Sequence, residues 1–158
     1  LMANRWRHLC NPIMWRLFVK FTEIMDMNVA EPRKLKIVPE GDYIALCTGA
    51  DPKDVGGGRG LVEITFKPQS AVGGQDIEGI DLSKPKFVAA LWSSKSGNDD
   101  ETFNRLSGFA RAACPNSLGP LKDVFEGMVG NLYITTVKHW NKPGRDLPIL
   151  QVDKIRPA

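Results

Sequence analysis

Leu61 to Lys67 reads LVEITFK and alternates at every step, with Val62, Ile64 and Phe66 on one face and Leu61, Glu63, Thr65 and Lys67 on the other. A period of two marks a strand that buries one face. Four other β-type runs accompany it: YIALCT over 43–48, FVAALW over 87–92, NLYITTVKHW over 131–140 and PILQVDKI over 148–155. Between the third and fourth runs the period becomes helical, in NDDETFNRLSGFARAAC. Asn98 suits an N-cap, Asp99 and Asp100 suit the positive end of the helix dipole, and Glu101 stands at the capping-box position. Phe103, Leu106, Ala110 and Ala113 form the expected buried stripe, and Pro115 follows the helix end. A second short helix is expected over 120–126.

Turn chemistry connects these elements. Asp51, Pro52 and Gly56-Gly57-Gly58 predict a hairpin with a Gly-rich tip between the first two strands. Lys142-Pro143-Gly144 predicts a hairpin between the last two. The resulting order, β-β-β-α-β-β, is that of a mainly β (β+α), OB-fold-like five-stranded Greek-key barrel with a helix between strands 3 and 4. Other small β-barrels with one helix share the order. The expected organisation is a basic extension over 1–24, a linker over 25–40 and a single domain over 41–158. No stretch approaches the roughly 18 apolar residues of a membrane span. Cys10, Cys47 and Cys114 lie far apart with no CxxC pair, which argues against a disulfide scaffold or a cysteine-rich zinc site and for a reducing compartment.

The net charge of +3 resides in the first 24 residues, where Arg5, Arg7, Arg16 and Lys20 face only Glu23. The remainder is balanced, so any grip on a polyanion must come from local patches. Trp6, Cys10, Ile13, Leu17 and Phe21 recur at helical spacing in that first segment, interrupted by Pro12. It reads as a surface helix, as a targeting segment, or as a non-native upstream extension with translation starting at Met25 or Met27. No functional residue is assigned there.

Catalytic motifs are missing. His8 and His139 are the only histidines, and no HExxH, nucleophile elbow or Walker A loop occurs. Gly56-Gly57-Gly58-Arg59-Gly60 lacks the Lys-Ser/Thr ending of a phosphate cradle. No catalytic residue, metal ligand or cofactor is therefore assigned. Single-stranded nucleic acid, by contrast, is held by aromatic faces that stack on bases and by cations that follow phosphates. The last hairpin carries Tyr133, Lys138, His139, Trp140, Lys142 and Arg145, and Trp92 with Lys95 forms a second aromatic–cation pair. Arg59 and Lys67 would extend the track along the first hairpin.

Together, EGDYIAL, GLVEITFKPQS, the capped helix NDDETFNRLSGFARAA, LKDVFEGMVGNLYITTVKHW and ILQVDKIRP resemble small bacteriophage single-stranded DNA-binding proteins, over about residues 40–157. The resemblance implies an OB-fold, sequence-tolerant binding of single-stranded DNA in phage replication or recombination, and neither cofactor nor catalysis. It also implies work in the bacterial cytoplasm, with replication or recombination proteins as further partners and room for a homo-oligomer. The chain ends KIRPA, without the acidic tail that many such proteins use to recruit partners. Two alternatives stand beside this reading. One is an accessory or protein-interaction scaffold that binds no nucleic acid, favoured if the five C-terminal cations are scattered or pair with Asp146 and Asp153. The other is a hydrolase or nuclease with a metal held by carboxylates such as Asp42, Glu63 and Asp76.

Overall fold

A computed structural model describes residues 21–26 and 36–158. The chain divides into two compact units, 1–35 and 36–158. Of the first, only a short helical turn over 21–25 is described, so the expectations for residues 1–20 lie outside the described residues.

The second unit is a closed barrel. Its strands are β1 (Gly41–Gly56), β2 (Arg59–Ala71), β3 (Phe87–Trp92), β4 (Leu132–Trp140) and β5 (Ile149–Pro157). They close in the order β1-β2-β3-β5-β4, β4 returning to β1. All neighbours are antiparallel except β3 and β5, which run parallel with Val88 beside Gln151. Helix α1 (Asp99–Ala113) and the short α2 (Leu121–Met128) connect β3 to β4.

The inward residues follow the alternation of each strand. Tyr43, Ala45 and Cys47 of β1, Ile64 and Phe66 of β2, Phe87 and Ala89 of β3, and Tyr133, Thr135 and Val137 of β4 are all buried. The aromatic rings meet edge to face: Tyr43 and Phe87 at 5.2 Å between centroids, Phe66 and Tyr133 at 6.3 Å. Such pairs add roughly 0.5–1.5 kcal/mol beyond the area they bury. Two buried polar groups are satisfied within this core: Thr135 Oγ1 donates to Tyr43 O at 3.3 Å, and Tyr43 Oη donates to Pro39 O at 2.6 Å. Val38 is also buried, so residues 36–40, read from sequence as the end of a linker, pack as part of the barrel unit.

Local sequence signals set the helix. Asn98 Oδ1 accepts from Glu101 N at 3.2 Å, as the cap pattern required. The expected stripe needs one correction. Ala110 and Ala113 are buried and Leu106 is partly so, but Phe103 is 53% exposed, and Ser107 is buried in its stead. The face that meets the barrel is centred on Leu106, Phe109, Ala110 and Ala113, and the first turn of α1 is outside it. The β1–β2 hairpin is longer than its alternating segments, with pairing that continues through Pro52–Val62 to Gly56–Arg59. Gly56, Gly57 and Gly58 all have positive φ (83°, 62° and 74°), a conformation that side chains other than glycine's rarely adopt.

Burial pushes both tyrosine hydroxyls upward in pKa; at Tyr133 the bond with the Cys114 thiol adds to burial. These are the only two tyrosines in the chain. In an ultraviolet titration of the native protein the phenolate signal should therefore lag that of free tyrosine and stay below half at pH about 10, where an exposed tyrosine is half ionised. Because the folded pKa values are raised, the unfolded state ionises first. The tyrosines' contribution to stability is thus constant below pH about 10 and lost above it, which a series of denaturant midpoints across the alkaline range would follow. Phenolate absorbance equal to that of free tyrosine at pH about 10 in the folded protein would place the rings outside the core.

Candidate nucleic-acid interface

Trp92 ends β3 directly opposite Leu61 of β2 and is 39% exposed. Arg59 lies two residues from Leu61 along β2 and holds its guanidinium 5.2 Å from the centroid of the Trp92 ring, a cation–π contact. Arg59 Nη2 donates to Ser93 O at 3.1 Å, which fixes the fork in that position. Its Nε is buried and has no hydrogen-bond partner.

The loop from Ser93 to Asn98 is tied to the first turns of α1. The amide of Ser94 donates to Thr102 Oγ1 at 2.9 Å, and Ser94 Oγ donates to Glu101 Oε2 at 2.9 Å. Arg105 reaches back across the loop, its Nη1 donating to Trp92 O at 2.7 Å and its Nη2 pairing with Glu101 Oε1 at 3.3 Å. Arg59, Trp92, Lys95, Glu101 and Arg105 thus line one cavity of about 500 Å³. Its charge is three cations against one carboxylate.

A second group lies near Trp140 along the chain; Trp140 ends β4 opposite Ile149 and is 50% exposed. Lys142 and Arg145 are exposed in the following turn and form no ion pair among the described residues. Lys138 is exposed on the same side of β4 but pairs with Asp153 at 3.8 Å. Arg156 pairs with Asp42 at 3.7 Å.

The strand register separates the two tryptophans. Val88, Gln151 and Lys138 form one row across β3, β5 and β4; Trp92 is four residues from it in one direction and Trp140 two in the other. At about 3.3 Å per residue, they stand on the order of 20 Å apart along the ladder. The track read from sequence is therefore two platforms at opposite ends of the barrel.

Three residues leave that track. Tyr133 is only 4% exposed, packs against Phe66 and has its hydroxyl 3.6 Å from Cys114 Sγ, so its ring cannot stack on a base. His139 points away from Trp140 and its Nε2 donates to Val38 O at 2.6 Å, with Nδ1 3.7 Å from Glu40. It latches the segment before β1 to β4. Lys67 is exposed on the outer face of β2, toward the end where β3 begins, and belongs to neither cluster. Arg105 was missed from sequence, where it reads as one more exposed helix cation; its i,i+4 spacing from Glu101 was the available signal.

The three carboxylates weighed as a metal site are engaged separately. Asp42 accepts from Thr136 Oγ1 at 2.6 Å, Glu63 pairs with Lys53 at 3.3 Å, and Asp76 accepts from the amide of Glu78 at 3.1 Å. Among the described residues no group of His, Cys, Asp and Glu side chains has metal-binding geometry. The Cys47 thiol is raised in pKa by burial, in keeping with a core position. No helix among the described residues is long and apolar enough to cross a membrane. No protein-family model matches the chain, and no curated protein matches it in sequence.

The geometry separates surface from core aromatics by stability. Trp92→Ala and Trp140→Ala should each cost at most about 1 kcal/mol of unfolding free energy, while Tyr133→Ala should cost about 3–5 kcal/mol. Urea unfolding of the three variants measures this, and a Trp140→Ala loss as large as that of Tyr133→Ala would make Trp140 a core residue.

Proposed function

We propose that this chain is a non-enzymatic, OB-type single-stranded DNA-binding protein of the kind phages use in replication and recombination. The observation that carries the reading is the Trp92 cavity: a half-exposed indole under a guanidinium, flanked by Lys95 and Arg105. Base stacking on exposed aromatics contributes roughly 1–3 kcal/mol per base and tolerates any sequence. Trp140 with Lys142 and Arg145 supplies a second platform. A strand that reaches both follows the outer face past Val88 and Ala90, whose small side chains leave it level.

The second reading, a protein-interaction module, has its own support. Lys138 and Arg156 are paired with acids, and the outer faces of β1 and β4 oppose Ile44 to Ile134 and Leu46 to Leu132. Leu132 is 48% exposed in that apolar row.

Fluorescence anisotropy of a labelled dT strand, titrated with the full chain, separates the two. DNA binding predicts saturation, weaker binding to a duplex of equal length, and a log–log salt slope of about −2 to −3.5 from three to five phosphate contacts. Trp92→Ala should weaken binding by about 1–3 kcal/mol. A flat titration at low salt would remove the DNA reading and leave the interaction module.

A further inference from the structure

Glu101 is an unusual group to find in the wall of a cavity that otherwise carries Arg59, Lys95 and Arg105. A carboxylate there repels phosphate, so neutralising a backbone does not explain it. Its position is built rather than incidental. One oxygen accepts from Arg105 Nη2 at 3.3 Å and the other from Ser94 Oγ at 2.9 Å. Ser94 is itself 3% exposed and receives the amide of Ser96 at 3.3 Å. An ionised carboxylate has about four lone-pair sites and no donor. Two sites are taken, and with the side chain 53% exposed the others remain open to a ligand.

We propose that the Trp92 cavity is a base-reading subsite in which Glu101 favours bases that carry an exocyclic amino group over uracil and thymine. The inference rests on the single-stranded DNA reading above. A base stacked on Trp92 presents its polar edge to the cavity wall, where it meets an acceptor-only group. Cytosine, adenine and guanine offer amino hydrogens to it. Uracil and thymine offer N3–H only between two carbonyl oxygens, which the carboxylate repels. A carboxylate accepting from the cytosine amino group is a known direct-readout pairing. Arg105 and Ser94 hold the carboxylate before the base arrives, so little ordering is lost on binding. Arg59 and Lys95 remain for the adjoining phosphates, and the sequence-tolerant platform at Trp140 is unaffected.

The test compares homopolymeric dC and dU strands of equal length at neutral pH, since these bases differ only at the edge in question. The full chain should bind dC about tenfold more tightly than dU, as expected for one charge-assisted hydrogen bond. In Glu101→Gln, which keeps the shape but replaces one acceptor oxygen by a donor, the dC-to-dU ratio should fall to near one, whatever the change in overall affinity from losing a negative charge. The helix cap is a backbone contact to Asn98 and survives this change. Should the variant fail to fold, a dC strand with N4,N4-dimethylcytosine keeps N3 and O2 but has no amino hydrogen, and it should lose the same tenfold on the wild-type chain. Equal binding of dC and dU by wild type, or a preference that persists in Glu101→Gln or with the dimethylated strand, would overturn the subsite and leave DNA binding standing. Failure to bind any strand would instead overturn the functional reading on which it rests.

Discussion

The parallel contact between β3 and β5 determines how the outer surface is laid out. It closes the barrel, and it fixes which chain ends lie together. Because β5 runs beside β3 in the same direction, the end of β3 lies level with the end of β5, while the β4–β5 turn lies level with the start of β3. Trp92 and Trp140 consequently leave the barrel at opposite ends. An antiparallel contact at the same place would have brought them together into the single patch that their composition suggests.

The parts of this arrangement that were legible in the sequence are those set by near neighbours. Asn98 caps α1 because the cap needs only the amide three residues on. The β4–β5 hairpin was legible because Lys142-Pro143-Gly144 can do little but turn. The inward face of β4 was not. Leu132, Ile134 and Thr136 are as apolar as Tyr133, Thr135 and Val137, and only the pairing of β4 with both β1 and β5 decides which set is enclosed. Tyr133 was therefore placed on the surface and belongs to the core. Pairing also carries β1 through Pro52–Lys53–Asp54, a stretch with no alternation of its own. Arg105 was hidden for a related reason, since its bond to Trp92 O spans a loop whose path depends on the buried Ser94.

Charge pairing further narrows the surface available to a polyanion. Three of the domain's acids hold particular cations: Glu63 holds Lys53, Asp153 holds Lys138 and Asp42 holds Arg156. Exposed pairs of this kind contribute little to stability, but they remove cations from the track. Of the cations on that track, Arg59 and Lys95 remain beside Trp92 and Lys142 and Arg145 follow Trp140, and at Trp92 hydrogen bonds hold Arg59 and Arg105 in place. On the proposed reading such a surface would hold a strand by stacking more than by total charge, which suits a domain whose net charge is close to zero.

The central claim is that one strand engages two aromatic platforms about 20 Å apart. It is tested most directly by measuring affinity against oligonucleotide length for the wild-type chain, Trp92→Ala and Trp140→Ala. A strand too short to span the barrel should bind weakly and lose affinity in only one of the variants. A longer strand should gain affinity in a step, be sensitive to both substitutions, and show their losses adding. Affinity that rises smoothly with length and responds to neither tryptophan would contradict the account.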